Sequence, residues 1–347
     1  PPPAVADSPG LPPATPALPA MAEPWCRHVG RADRIACVCV CGGTHGNERN
    51  GVYIARNLRQ LQGPAGGEHG FDFEVMVVES NPEAAKANLR YIDEDLNRCF
   101  LCKDLADPEQ VKTYERRRAK EINELLGPKT SPTPKCDFVL DLHNTTAATG
   151  VALFLHPRDR FSQELAAYLV ELDPTVRVAL WADRDVVLLP SVGRSGMTFE
   201  VGPVPTGCLH AGQYQQSRRL VEAAFSYMKA HNAARKRTAE GSKVERKPAK
   251  LSCVQMICPV PFPRDAEKEL TGMIHPGVDG KDFAPLGAED PVFSMFDGST
   301  RRLRDAVAEL TDEVVYPFLI NESSYYEKDM AFVIGRMVQY EVEVLVV

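Results

Sequence analysis

From Arg34 onward, short apolar runs alternate with longer stretches whose apolar residues recur every three or four positions. The first run, RIACVCV, has strand length and β-branched content, and a helical pattern follows from about Asn47 to Leu61. FDFEVMVVES then reads as a strand running into an Asn81-Pro82 turn. DPEQVKTYERRRAKEINELLGPK reads as one helix, with Asp107 as N-cap, Pro108 in the first turn and Gly127-Pro128 as the stop. CDFVLDLH, VALFLH, VRVALW and MTFEV have the length and composition of strands, with the helical pattern RFSQELAAYLVEL among them. A last helix is expected from just after TGCLHAGQ to about His231. Strand and helix in alternation imply an α/β fold, with a largely parallel sheet and helices on both faces.

The pattern is different at both ends. Residues 1–30 are rich in Pro and Ala and lack the apolar content to order themselves, so a disordered tail is expected there. Residues 233–250, AARKRTAEGSKVERKPAK, are charged and read as a linker. Beyond it, over 251–347, strand-like pieces such as CVQMICPV and YEVEVLVV lie among Pro and Gly turns, which predicts a smaller β-rich domain. The remaining unit, 31–232, carries the α/β pattern.

Composition narrows the function classes. A net charge of -7 argues against nucleic acid or an anionic membrane as the main partner, both of which call for a basic surface. No stretch reaches the roughly 20 apolar residues of a membrane span, and no secretory signal pattern opens the chain. Ten cysteines in 347 residues do not make a disulfide scaffold. Cys37, Cys39 and Cys41 alternate along one strand and read as small buried apolar residues. Cys99 and Cys102 have no second pair at zinc-ribbon spacing. A reducing, cytoplasmic setting is the expectation.

Four stretches carry candidate chemistry. In CGGTHGNERNG, His45 and Glu48 stand three apart where a strand hands over to a helix, a spacing that converges on one helix face. The pair suits half of a metal site, or a first-turn carboxylate beside an incidental His. In DFVLDLHNTTA, a strand ends at His143, and Asp141 two positions earlier points to the same side, where it would orient the imidazole or cap a turn. Two His and one Glu form a usual ligand set for catalytic zinc. Glu200 in GMTFEVGPVPTG sits in an otherwise apolar strand, either as a paired core carboxylate or as a general base. Arg90, Asn97 and Arg98 in NLRYIDEDLNRCF offer donors for an anionic substrate, or form a solvated loop.

Together, GGTHGNE, RYIDEDLNR, LDLHNTTA, FEVGPVPTG and VYPFLINESSYYEKDMAF resemble, in order, the aspartoacylase branch of the aspartoacylase and succinylglutamate desuccinylase family, relatives of the zinc carboxypeptidases. The resemblance runs from about Arg34 to Phe332 and implies a zinc-carboxypeptidase-like catalytic domain over 31–232. It implies one zinc ion per subunit, held by His45, Glu48 and His143, with Glu200 as the base and Arg90 as the oxyanion partner. Asn97 and Arg98 match residues that hold the substrate α-carboxylate. Tyr91, beside Arg90, is expected among the substrate-binding residues, and Tyr325 matches a tyrosine that reaches in from the β-rich domain and narrows the pocket. The partner implied is a small N-acyl amino acid, and a homo-oligomer is among the family's expected states.

One position departs from the pattern. Where aspartoacylase proper has an Arg ten residues before the catalytic Glu, this chain has Pro190. Losing that charge-assisted contact costs about 1.5–3 kcal/mol of binding to an acidic side chain. Arg184 and Arg194 are the nearby candidates to replace it. The resemblance therefore implies an N-acyl-L-amino acid amidohydrolase that prefers neutral or aromatic side chains, with aspartoacylase as the alternative. A metal-dependent binding protein without turnover is the alternative from another class.

Overall fold

The apolar runs form strands that end at one edge of a sheet, and that edge positions the site. The computed structural model describes residues 28–62, 70–181, 187–307, 310 and 314–347. The chain passes through β1 (Cys37–Gly42), α1 (Arg49–Gln62), β2 (Glu74–Glu79), α2 (Pro82–Ala87), α3 (Cys102–Ala106) and α4 (Tyr114–Leu126). It continues through β3 (Phe138–Asn144), β4 (Gly150–Leu155), α5 (Arg160–Leu172), β5 (Arg177–Leu180), β6 (Ser195–Gly202) and α6 (Ala211–Ala239). The C-terminal part comprises β7 (Arg246–Val260), β8 (Gly272–Ile274), β9 (Leu286–Gly287), β10 (Pro291–Met295), β11 (Thr300–Arg302), α7 (Leu303–Ala306), β12 (Val314–Phe318) and β13 (Phe332–Leu345).

Ten strands join in one mixed sheet of order β2-β1-β3-β6-β4-β5-β7-β13-β12-β9, and β11-β10-β8 form a second. Pairing is parallel from β2 through β1 and β3 to β6, and again between β4, β5 and β7. The pairs β4 with β6, β7 with β13, β13 with β12 and β12 with β9 are antiparallel.

The two faces are covered differently. Val38, Val40, Leu140 and Leu142 pack with Ile54 of α1, Leu165 of α5 and Leu220 of α6. Cys37, Cys39, Cys41 and Val139 face the other way, against Ile122 and Leu126 of α4. Each such fully buried aliphatic side chain contributes about 1.5–3 kcal/mol. The alternating cysteines thus behave as small core residues, and none of the nine cysteines among the described residues forms a disulfide. Helix α1 lies so close to β3 that a Cβ at Gly51 would stand 2.4 Å from the Leu142 carbonyl oxygen. Only glycine permits that approach, which seats the helix beside the strand end bearing His143.

Several expectations are corrected. Helix α4 starts at Tyr114, not Asp107, because Thr113 supplies the cap by accepting from Arg116 N, while Asp107 closes the short α3. The stop at Gly127 is where the sequence places it. Helix α1 begins at Arg49, two residues later than expected, and α6 runs to Ala239 rather than His231. The stretch 233–250 is therefore not an irregular linker: it holds the last turns of α6 and the first residues of β7. Its charged residues belong to an exposed helix end and to a strand solvated on one face. Strand β7 pairs with β13 over nearly its whole length, and Leu251, Cys253, Val342 and Val344 enter the α/β core while Val260, Phe332 and Ile334 enter the C-terminal core. One long hairpin thus serves both units. Of the expected tail, residues 1–27 lie outside the described residues, while Val29 is buried and donates its N–H to Ser195 Oγ at 2.9 Å.

Candidate metal centre and active site

Strand alternation places the first functional side chains. On β3, Val139, Asp141 and His143 share the face turned toward α4. Parallel pairing sets His143 beside Glu200 and Asp141 beside Thr198 on β6. His45 and Glu48 lie in the β1–α1 loop, not on the helix, and meet through a turn in which Glu48 N donates to His45 O at 3.2 Å. The loop carrying Arg90 to Arg98 is anchored from beneath by Glu115 of α4. This buried carboxylate accepts from Ile92 N at 2.7 Å, Asp93 N at 3.0 Å and Glu94 N at 3.2 Å.

His45, Glu48 and His143 are all buried and their ligand atoms lie within 4.8 Å of one another. His143 Nε2 stands 2.8 Å from Asp141 Oδ2, and His45 Nε2 stands 2.9 Å from Asp95 Oδ1. Each carboxylate takes the Nε2–H, which assigns both imidazoles to the tautomer with a lone pair on Nδ1. Those two Nδ1 atoms are 3.1 Å apart, and they approach the Glu48 oxygens at 2.6 Å from His45 and 2.8 Å from His143. Three acceptors facing one another repel unless a cation or proton lies among them, so the donor set fits a metal ion. Two imidazoles and one carboxylate are the set that catalytic zinc uses.

The surrounding charges are balanced in pairs. Burial alone would raise the Glu48 carboxyl, but the two imidazoles outweigh it and hold Glu48 well below the usual carboxylate range. Burial likewise disfavours an imidazolium at His143, yet Asp141 and Glu48 push its pKa well up. Arg90 approaches Glu48 Oε1 at 3.2 Å and Asp95 Oδ2 at 3.4 Å, while its buried Nε has no partner among the described residues. Lys328, from the C-terminal part, donates to Asp95 Oδ2 at 2.6 Å. His45, Arg90 and Arg98 together keep Asp95 ionised against the cost of burial.

Glu200 differs from its neighbours. Burial first, and then the charge of Glu48, push its carboxyl up to about 8. It lines an inner cavity of about 30 Å³ with His45, Glu48, Arg90, Asn97, Arg98 and Tyr325. Asn97 Oδ1 accepts from Leu189 N at 2.9 Å, which fixes the amide, and Arg98 is braced by a 2.8 Å bond to the Asn97 carbonyl. Burial holds the Tyr325 phenol well above its ordinary pKa, so it stays a neutral donor.

Of the residues singled out from sequence, His45, Glu48, Arg90, Asn97, Arg98, Glu200 and Tyr325 share this cavity, His143 joins His45 and Glu48, and Asp141 backs His143. Tyr91 instead lines an outer cavity of about 530 Å³, its hydroxyl donating to Glu327 at 3.0 Å. Pro190 is buried in a 3₁₀ turn and faces a neighbouring cavity. Arg194 lines that cavity too, but its guanidinium is engaged by Asp33 and by Asp137. Arg184 lies outside the described residues.

Sequence reading missed Asp95, Glu322 and Lys328. Asp95 stands two residues before Asn97 in an acidic loop that also holds Asp93 and Glu94, and nothing local marks which of these turns inward. Glu322 is buried and accepts from Thr145 Oγ1, from Thr146 N at 2.7 Å and from Thr146 Oγ1 at 3.0 Å. It clamps the loop after β3 from a position 177 residues later.

Comparison with known proteins places this geometry in a family. Residues 35–228 match the succinylglutamate desuccinylase/aspartoacylase catalytic domain, and residues 253–337 match the AstE/AspA barrel-sandwich hybrid domain. The chain belongs to the succinylglutamate desuccinylase/aspartoacylase family. It is 36% identical over 327 residues to a Mus musculus protein named N-acyl-aromatic-L-amino acid amidohydrolase (carboxylate-forming), covering 91% of this chain and 95% of that one. It is 34% identical over 304 residues to a Nostoc sp. protein named "Probable aspartoacylase", covering 86% and 95% respectively. The fold superposes on crystalline murine aminoacylase 3 with a TM-score of 0.80 at 34% identity, over 90% of this chain and 99% of that one.

Proposed function

We propose that this protein is a zinc-dependent amidohydrolase that cleaves N-acyl-L-amino acids to a carboxylate and a free amino acid, preferring neutral or aromatic side chains. The observation that carries the chemistry is the convergence of His45 Nδ1, His143 Nδ1 and Glu48, with Glu200 paired beside His143 and lining one buried cavity with His45 and Glu48. Zinc bound by those three residues supplies Lewis acidity and lowers the pKa of a water to about 7.

Glu200 takes a proton from the attacking water and returns it to the leaving amine. Its high pKa favours holding the proton between those two acts, and with a cation held by His45, Glu48 and His143 the group would return toward the carboxylate needed at the start. Arg90, tethered by Glu48 and Asp95, brings its unpartnered Nε to the developing oxyanion. Arg98 and Asn97 bind the α-carboxylate, and Tyr325 closes the cavity as a neutral donor. Pro190 gives no charge to an acidic side chain, while Phe154, Trp181 and Leu188 form an apolar wall beside it. Aspartoacylase activity would rest on Arg184 or Arg194, and the charge of Arg194 is already balanced by Asp33 and Asp137.

The test has two arms. Chelation should abolish N-acyl amino acid hydrolysis and zinc should restore it. Glu200→Gln should retain zinc and lose about 10²–10⁴ in kcat. Turnover that survives chelation overturns the metal assignment, and near-normal turnover in the Gln variant overturns the base assignment.

A further inference from the structure

The outer cavity of about 530 Å³ and the inner cavity of about 30 Å³ meet at a throat formed by Glu48, Arg90, Asn144, Glu322 and Ser324, which line both. The cavity beside Pro190 joins the inner one through Trp181, Leu188 and Thr198 and shares no lining residue with the outer one. An amide held in the inner cavity therefore has two ways out. Asn97, Arg98 and Glu200, read above as serving the amino-acid half of the substrate, line the inner cavity and not the outer one. Glu48 and Arg90, read as acting at its carbonyl, border both. With the nitrogen side turned to Glu200 and Arg98, the acyl carbon points through the throat into the outer cavity.

Buried polar atoms mark that throat. Arg90 Nε, Asn144 Nδ2 and Ser324 Oγ have no hydrogen-bond partner among the described residues. Buried donors are seldom left without an acceptor, and an acyl carbonyl entering here supplies one. Beyond the throat, Leu89, Val204, Pro205 and the Tyr326 ring contribute apolar surface, and both Leu89 and Tyr326 are exposed. Tyr326 is held in place: its ring packs on Phe262 with centroids 4.4 Å apart, and its hydroxyl donates to Asn321 Oδ1 at 2.7 Å. Asn47, Tyr91, Thr146, Thr206, Ser323 and Glu327 make the polar side. Much of it is paired internally: Tyr91 donates to Glu327 at 3.0 Å, the Thr206 and Ser323 hydroxyls are 3.2 Å apart, and Thr146 Oγ1 accepts from Ser323 N at 2.9 Å. The charges on the lining are the carboxylates of Glu48, Glu322 and Glu327 and the guanidinium of Arg90, which is committed to Glu48 and Asp95. Such a surface admits a neutral chain and repels an anionic one.

We infer that the outer cavity is an acyl subsite, and that this enzyme takes N-acyl-L-amino acids whose acyl group is a neutral aliphatic chain longer than acetyl. The inference rests on the amidohydrolase reading above and names the acyl half of its substrate. The cavity has the size of a ligand site, about 300–1,000 Å³, and an acetyl methyl would occupy only its inner end. Leu89 and Tyr326 are then specificity residues that touch the chain, and Glu327 excludes a dicarboxylic acyl group.

The experiment measures kcat/KM for N-acetyl-, N-hexanoyl- and N-succinyl-L-tyrosine on the zinc-loaded full chain, together with calorimetric binding of the products acetate and hexanoate. Each methylene fully removed from water gains about fourfold in affinity, so four more of them in a half-open cavity should raise kcat/KM about tenfold for hexanoyl over acetyl. Hexanoate should bind more tightly than acetate by a similar factor. Leu89→Glu should lower both ratios about tenfold, and Leu89→Met should keep them. Glu327→Gln should raise turnover of the succinyl substrate relative to the hexanoyl one. A wild-type preference for acetyl or succinyl over hexanoyl, or a hexanoyl-to-acetyl ratio unmoved by Leu89→Glu, overturns the subsite while leaving the amidohydrolase intact. Absence of hydrolysis of all three substrates overturns the amidohydrolase reading itself. In that case, hexanoate binding that exceeds acetate binding and is lost in Leu89→Glu upholds the cavity as an acyl-chain site, and equal binding of the two overturns it.

Discussion

Two walls of the inner cavity follow opposite physical rules. On the metal-candidate side, charges are linked in pairs: Asp141 and Asp95 brace the imidazoles, Arg90 joins Glu48 to Asp95, and Lys328 completes Asp95. On the Pro190 side, Phe154, Trp181, Leu188 and Pro190 contribute apolar surface to a cavity whose lining also includes Thr198, His28, Asp159 and Arg194. Removing one member of a buried charge network strands its partner and costs about 3–5 kcal/mol. Exchanging one residue of an apolar wall changes shape and affinity without that penalty. On the proposed reading, chemistry and selectivity occupy separate surfaces, and they can be perturbed separately.

The sharpest way to break this separation is Asp141→Asn. An amide in place of the carboxylate no longer enforces the His143 tautomer, and zinc affinity should fall about 10–100-fold in competition with a chelator. The ratio of kcat/KM for N-acetyl-L-tyrosine to that for N-acetyl-L-aspartate should not move, and a shift in it would show that the two walls are coupled. Pro190→Arg tests the other wall. It should raise the ratio of kcat/KM for N-acetyl-L-aspartate over N-acetyl-L-tyrosine about tenfold with zinc content unchanged, as read by substrate competition and metal analysis.

The smallest expected effect concerns stability in the metal-free protein. Glu200 titrates near 8 in the folded chain and near 4.5 as an ordinary Glu, so between those values the folded state binds the extra proton. Its contribution to stability then falls as pH rises through that window. Glu200→Gln removes the loss, and its melting temperature relative to wild type should climb from pH 5 to pH 8. A constant difference would mean that the carboxyl is not held protonated.

Much of the site was legible because its residues sit at strand ends, and strand ends show in the apolar pattern. Asp141 and His143 share a face by simple alternation. The errors arose where local signals compete. Asp107-Pro108 has the features of a helix start, but the Arg116 side chain and the Thr113 cap are committed to Glu94 and the loop above it, so the helix begins at Tyr114. The charged stretch 233–250 lacks large apolar residues, yet helix α6 and strand β7 continue through it because their other faces and their neighbours supply the packing.

By itself, then, the sequence determined the alternation of strand and helix up to about residue 232, the face shared by Asp141 and His143, and the chemical identity of the three metal-binding candidates, since these depend on residues a few positions apart. Only the tertiary structure decided which acidic residue of the Arg90–Arg98 loop turns to His45, that Glu322 closes over Thr145 and Thr146, and that a cavity opens behind Pro190. Those outcomes depend on groups far apart in the chain, whose burial and charge acquire meaning only once the sheet, the anchored loop and the C-terminal hairpin have brought them together.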